Sequence, residues 1–131
     1  MKKIEIKEKI NFTVSQVWSV VGTVDRYDWV PGIDSIEVKD DIRIFSLKPI
    51  GRVVERIIER NEDEFKLVYK AIESPVKPNH HLASINLFPL EENCQFHWIT
   101  EIDPPDFADL LLKSMNESFI SLCSVLTKEF N

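Results

Sequence analysis

Three glycines in 131 residues leave no room for a glycine-rich phosphate loop, which nearly excludes nucleotide binding of that kind. Cys94 and Cys123 lie too far apart in sequence for a redox CxxC pair, and a domain of this length needs no disulfide staple. Both are expected to be buried thiols. No apolar run is long enough to span a bilayer, and residues 1–7 alternate charge with isoleucine where a secretory signal would be continuously apolar. The cytoplasm follows as the default location, with no integral membrane segment. Positive charge is in deficit, with 16 Lys and Arg against 22 Asp and Glu, so the net charge of −6 repels a nucleic-acid duplex on average. No Ser/His/Asp triad, repeat or low-complexity tract is readable.

What is present is a succession of strand signatures closed by one amphipathic stretch. Ile4, Ile6, Ile10 and Phe12 share one parity and Lys3, Glu5, Lys7 and Lys9 the other, which is the period-two pattern of a half-buried strand over residues 3–12. Ser15 is the expected N-cap of a short helix ending at Gly22, and residues 24–29 form a second short helix or turn before Pro31 and Gly32. Strands are expected at 33–39, 42–48, 52–60, 65–73, 81–89 and 94–102. Asp103 and Pro104 then open a long helix reaching Phe130, with Phe107, Leu111, Met115, Ser118, Phe119, Leu122 and Leu126 on one stripe. At 1.5 Å per residue such a helix must cross the whole sheet. A long helix laid over a curved antiparallel sheet leaves a hollow.

Strand parity assigns the lining of that hollow. Phe65, Leu67, Tyr69 and Ala71 oppose Lys66 and Lys70, and Phe96, Trp98, Thr100 and Ile102 oppose Gln95, His97 and Glu101. In the strand over 52–60, three arginines, Arg52, Arg56 and Arg60, cannot all be buried without partners, so they are placed outside and Glu55 inside. A hairpin centred on Glu62 sets Glu55 opposite Tyr69, and His81, Ala83, Ile85 and Leu87 also face inward. Glu55 is then an acid, a base or a polar anchor, unless it serves as a structural carboxylate paired with a Lys or Arg. The three histidines do not make a metal site, because His80 and His81 face opposite ways and His97 points outward. Neither a metal nor a cofactor is expected.

The order of strand, two short helices, six strands and long C-terminal helix resembles the helix-grip fold of the START-like (SRPBCC) superfamily, with residues 1–131 as one domain. The stretches Val17-Trp18 through Trp29-Val30-Pro31, Gly51-Arg52-Val53-Val54-Glu55-Arg56-Ile57, Tyr69-Lys70-Ala71 and Trp98-Ile99-Thr100 resemble its polyketide cyclase/dehydrase-like branch. A more local likeness to the plant abscisic acid receptors rests on the Glu55-Arg56 pair, the histidine-containing loop before the sixth strand, and Phe107-Ala108-Asp109. The resemblance implies a cavity lined by Glu55, Tyr69, His81, Ala83, Trp98, Phe107, Leu111 and Met115, with the loops at 48–50 and 78–80 as its mouth. Ser46-Leu47-Lys48-Pro49-Ile50 departs from the Ser-Gly-Leu-Pro-Ala gate of those receptors, so a hormone-receptor role is not implied.

Trp29 and Thr100 complete the expected ligand-binding set. Glu55, Tyr69 and His81 are the catalytic candidates. Three functions compete: capture of a small hydrophobic or aromatic molecule, a cyclase or dehydratase moving protons in the same cavity, and a co-chaperone-like interaction role with a collapsed interior. Binding ranks first, in a monomer or homodimer.

Overall fold

The computed structural model describes all residues, 1–131. Seven antiparallel strands form one curved sheet: β1 (Lys2–Ile10), β2 (Ile33–Lys39), β3 (Ile42–Leu47), β4 (Gly51–Asn61), β5 (Lys66–Glu73), β6 (His80–Leu90) and β7 (Asn93–Asp103). Their order across the sheet is β1-β7-β6-β5-β4-β3-β2, so the chain's first strand joins its last and β2 is the far edge. Helix α1 (Val14–Val21) and the long helix α2 (Ala108–Phe130) cover the inner face. No helix is long and apolar enough to cross a membrane.

Local chemistry explains the element ends, and corrects the two expected helix caps. Thr13, not Ser15, caps α1: its hydroxyl accepts from the Gln16 N–H while the Gln16 side chain accepts from the Thr13 N–H, a reciprocal capping box. Ser15 lies inside the helix instead. Of the helix or turn expected at 24–29, the structure has the turn, in fact a pair of them, consistent with Pro31 and the left-handed Gly32 (φ 94°) directly after. Asp103 does not cap the last helix. It is the final residue of β7, paired with His80, and the two prolines after it start a 3-10 turn, Pro105–Phe107, that leads into α2.

The β4–β5 hairpin differs from the expected one in register. Its loop is residues 62–65, because the Asn61 side chain accepts from the Asp63 and Glu64 N–H groups and Phe65 takes a left-handed turn (φ 54°). Asn61 therefore pairs with Lys66, and a bulge at Ile58 then shifts the ladder so that Ile57 faces Tyr69 and Glu55 faces Ala71. Tyr69 is thus a diagonal neighbour of Glu55, not its direct partner. The same bulge reverses the facing of the strand end. Arg60 comes inward opposite Leu67, donates to the Gly22 carbonyl at 2.7 Å and lies over the Trp18 ring, with its guanidinium carbon 5.1 Å from the centroid. Glu59, which shares parity with the inward Glu55, pairs with Lys66 at the surface instead.

The solid core occupies one end of the groove between sheet and helices. Val17, Val20 and Val21 of α1, Cys94 and Phe96 of β7, Leu87 of β6, and Leu122 and Leu126 of α2 are all fully buried there. Gly22 sits so close under the Trp18 ring that a Cβ would lie 2.5 Å from it, which explains glycine at that position without any unusual backbone angle. Burial pushes the Cys94 thiol up to about 11, so that cysteine is an inert packing group. Cys123 is half-buried.

Candidate functional site

At the other end of the groove the interior is polar and open. Register puts Arg43 of β3 directly across from Glu55 of β4, both facing inward. The guanidinium Nε donates to Glu55 Oε1 at 2.7 Å, a second nitrogen donates to the Val24 carbonyl at 3.1 Å, and the guanidinium carbon stands 4.7 Å above the centroid of the Tyr69 ring. Both side chains are little exposed, 13% and 12%, so each charge is neutralised by the other in place of water. Glu55 is therefore inside, as parity required, but it is not an unpaired carboxylate. Arg43 is the lining residue that sequence reasoning missed. Its signal was present, since Arg43 shares parity with Phe45 and Leu47, the two apolar residues that line the same hollow.

Two further polar groups stand beside this pair. The Tyr69 hydroxyl accepts a hydrogen bond from Trp98 Nε1 at 3.1 Å, and burial, with the Glu55 charge adding to it, holds the phenol well above its ordinary value. It is a permanent O–H. His81 lies where β5 and β6 part company: their ladder stops at the pair Tyr69 and Ala83, and the next inner-facing amide, that of Ala71, donates at 2.8 Å to His81 Nδ1. A side chain has replaced a backbone carbonyl in the ladder. Because Nδ1 accepts, the imidazole proton resides on Nε2. Burial, and then the charges of His80 and Lys70, push His81 down to about 4, so the ring is neutral at physiological pH.

The parting of the strands opens a cavity with two adjoining lobes. The first, about 130 Å³, is bordered by Trp29, Arg43, Glu55, Tyr69, Trp98 and Thr100 from the turns and the sheet, and by Leu111, Ser114, Met115 and Ser118 from α2. The second, about 120 Å³, is apolar, with Ile50, Val53, Ala71, Val76, Pro78 and Phe107 among its walls. Phe45, Leu47, Glu55, His81 and Leu111 border both. By the same measure a single water needs only about 10–15 Å³. Either lobe is thus larger than a packing defect.

Of the residues expected to line a cavity, Trp29, Glu55, Tyr69, His81, Trp98, Thr100, Phe107, Leu111 and Met115 do so. Ala83 does not: it is 1% exposed and packed in the core between Tyr69 and Thr100 on neighbouring strands. Ile50 and Pro78 of the expected mouth loops border the second lobe, whereas His80 turns away to bond Glu101 at 3.0 Å and His97 bonds Glu5 at 2.7 Å on the outer face. Arg26, at the rim of the first lobe, is held by Asp28 and Glu129.

The sequence profile described as polyketide cyclase / dehydrase and lipid transport matches residues 1–122. The chain belongs to that family. Among solved structures, the protein XoxI from Bacillus cereus is 19% identical, with a TM-score of 0.88 over 97% of this chain and 96% of that one. The Zhui aromatase/cyclase from a Streptomyces species is 12% identical, with a TM-score of 0.81 over 99% of this chain and 96% of that one. Norcoclaurine synthase from Thalictrum flavum, solved with dopamine and hydroxybenzaldehyde, is 14% identical, with a TM-score of 0.77 over 99% and 88%. At these identities the likeness is one of fold. No curated protein sequence matches the chain. The fold of this polyketide cyclase/dehydrase and lipid transport family member is accordingly the START-like helix-grip fold, and its cavity lies where α2 closes over the sheet.

Proposed function

We propose that this protein binds a small hydrophobic or aromatic molecule in the two-lobed cavity, as a carrier or sensor. The observation that carries the reading is the enclosure of a few polar groups, Arg43 with Glu55, Tyr69 and His81, by walls that are otherwise apolar and aromatic. Trp29 and Trp98 pack on each other with ring centroids 5.6 Å apart, yet the lobe beside them stays open, which speaks against the collapsed interior of a pure interaction domain.

The proton-moving reading ranks second, because the polar groups are committed elsewhere. A general base works best with a pKa near the operating pH, whereas His81 is pushed down to about 4 and its bare nitrogen is occupied by the Ala71 N–H. Glu55 is held by Arg43 and Tyr69 keeps its proton. These groups orient a ligand better than they shuttle protons. The test is native mass spectrometry of the protein purified from its own cell, followed by dye displacement with the molecule recovered. A retained small molecule that competes with the dye, with affinity altered by Glu55→Gln, is expected; an empty protein that takes up no apolar dye would sink the reading.

A further inference from the structure

Within the binding reading just given, on which this inference rests, the donors and charges of the first lobe restrict the ligand further. The Tyr69 hydroxyl takes part in one hydrogen bond, in which it is the acceptor, so its own proton has no protein acceptor. His81 likewise takes part in one, through Nδ1, which leaves the Nε2–H free. The two rings are neighbours, with centroids 6.3 Å apart, and both border the first lobe. Two neutral donors therefore belong to residues that border the same space. A donor as buried as the Tyr69 hydroxyl is costly without an acceptor, and a ligand oxygen beside it would satisfy it while also accepting from His81.

The charges say what that oxygen is not. Arg43 and Glu55 cancel, and Arg26 at the rim is matched by Asp28 and Glu129. No cation in the lining is left over for a ligand carboxylate. Such an anion would lose its water and meet the Glu55 charge at short range, so its desolvation would go uncompensated. A neutral carbonyl oxygen meets neither cost. The apolar second lobe, reached past His81 and Leu111, accepts the rest of the molecule.

We propose that the ligand is an uncharged amphipathic molecule whose carbonyl oxygen accepts from Tyr69 Oη and His81 Nε2 and whose apolar arm fills the second lobe. Three isosteric probes separate the possibilities by calorimetry at neutral pH: benzylacetone, which carries a neutral ketone, hydrocinnamate, which carries a carboxylate, and butylbenzene, which carries neither. Benzylacetone is expected to bind about tenfold more tightly than the other two. Tyr69→Phe and His81→Phe should each bring benzylacetone toward the affinity of butylbenzene and leave butylbenzene itself unchanged. The carbonyl infrared band of bound benzylacetone should move to lower frequency in the native protein and move back in both variants, a readout that a loss of packing alone does not produce. Hydrocinnamate binding as tightly as benzylacetone, or butylbenzene doing so, overturns the neutral-carbonyl assignment while leaving the cavity a binding site. Failure of all three to bind, together with an empty protein in the mass spectrum, overturns both.

Discussion

The two ends of the groove beneath α2 are built from the same sheet and the same helix, yet one is solid and the other hollow. At the solid end α1 acts as a plug: Val17, Val20 and Val21 meet Phe96, Leu122 and Leu126 with no exposed surface, and Trp18 stacks edge-on against Phe65 with centroids 6.0 Å apart. At the hollow end the turns of residues 23–32 stand beside α2 where α1 stands at the other, and β5 and β6 separate beyond Tyr69. Each end also holds one inward arginine. Arg60 is tied to a backbone carbonyl, to the face of Trp18 and, loosely at the surface, to Glu62 at 3.6 Å; Arg43 is tied to a backbone carbonyl, to the face of Tyr69 and, at 2.7 Å, to a carboxylate as little exposed as itself. The difference shows that the cavity is not a gap in the packing. It is the end of the sheet where polar groups replace the side chains that would have filled it.

The comparison is most strongly tested at the solid end. Phe96, wholly buried against Phe119 and Trp98, should cost about 4 kcal/mol of stability as Phe96→Ala, measured by urea denaturation. A loss near zero would mean that this end is also loose. At the hollow end Arg43→Met should cost about 3 kcal/mol, because it strands the Glu55 charge, and adding Glu55→Leu should recover most of it. If the double variant is no more stable than the single one, a stranded Glu55 charge is not what Arg43 prevents.

The pH dependence sharpens the contrast. His81 titrates at about 4 in the folded protein against an ordinary 6.5, so the unfolded chain binds the proton more readily across that window. Stability is therefore full above about pH 6.5 and falls as pH drops toward 4, with His81 accounting for roughly 2 kcal/mol once the water reaching its ring is allowed for. Denaturation midpoints between pH 7 and 4 should fall further in the native protein than in His81→Gln, and parallel slopes would contradict the assignment. The smallest effect is expected for Arg60→Met, about 1 kcal/mol from one hydrogen bond and one cation–ring contact at a partly exposed site, the solvated pair with Glu62 adding little. A loss equal to that of Arg43→Met would erase the distinction between the two arginines.

Much of this was legible in the residues. The alternation in 65–71 and 96–102 marks the inner faces on which Tyr69, Trp98 and Thr100 sit, and excluding arginines from the interior correctly turns Glu55 inward. The stripe of α2 is also visible, although Phe119 proves half-buried beside the fully buried Leu122 and Leu126. These readings succeed because facing within one strand or helix is a local matter, set by backbone periodicity. Three features were not legible. The partner of Glu55 comes from another strand; the inward turn of Arg60 depends on the bulge at Ile58; and the role of His81 depends on β5 and β6 separating beyond Tyr69.

What the sequence by itself determined is which residues face inward along each regular stretch and that a long helix must lie across the sheet. The tertiary structure alone decided which inward residues meet. Register is set by turn conformation and by packing between segments distant in the chain, and a shift of one residue moves every side chain to the other face. The loop at 62–65 and the bulge at Ile58 put Ala71 rather than Tyr69 across from Glu55, and the β3–β4 pairing brought Arg43 to it. Long-range pairing thus made a neutral ion pair, and left two free donors beside it, from residues whose order in the chain announces neither.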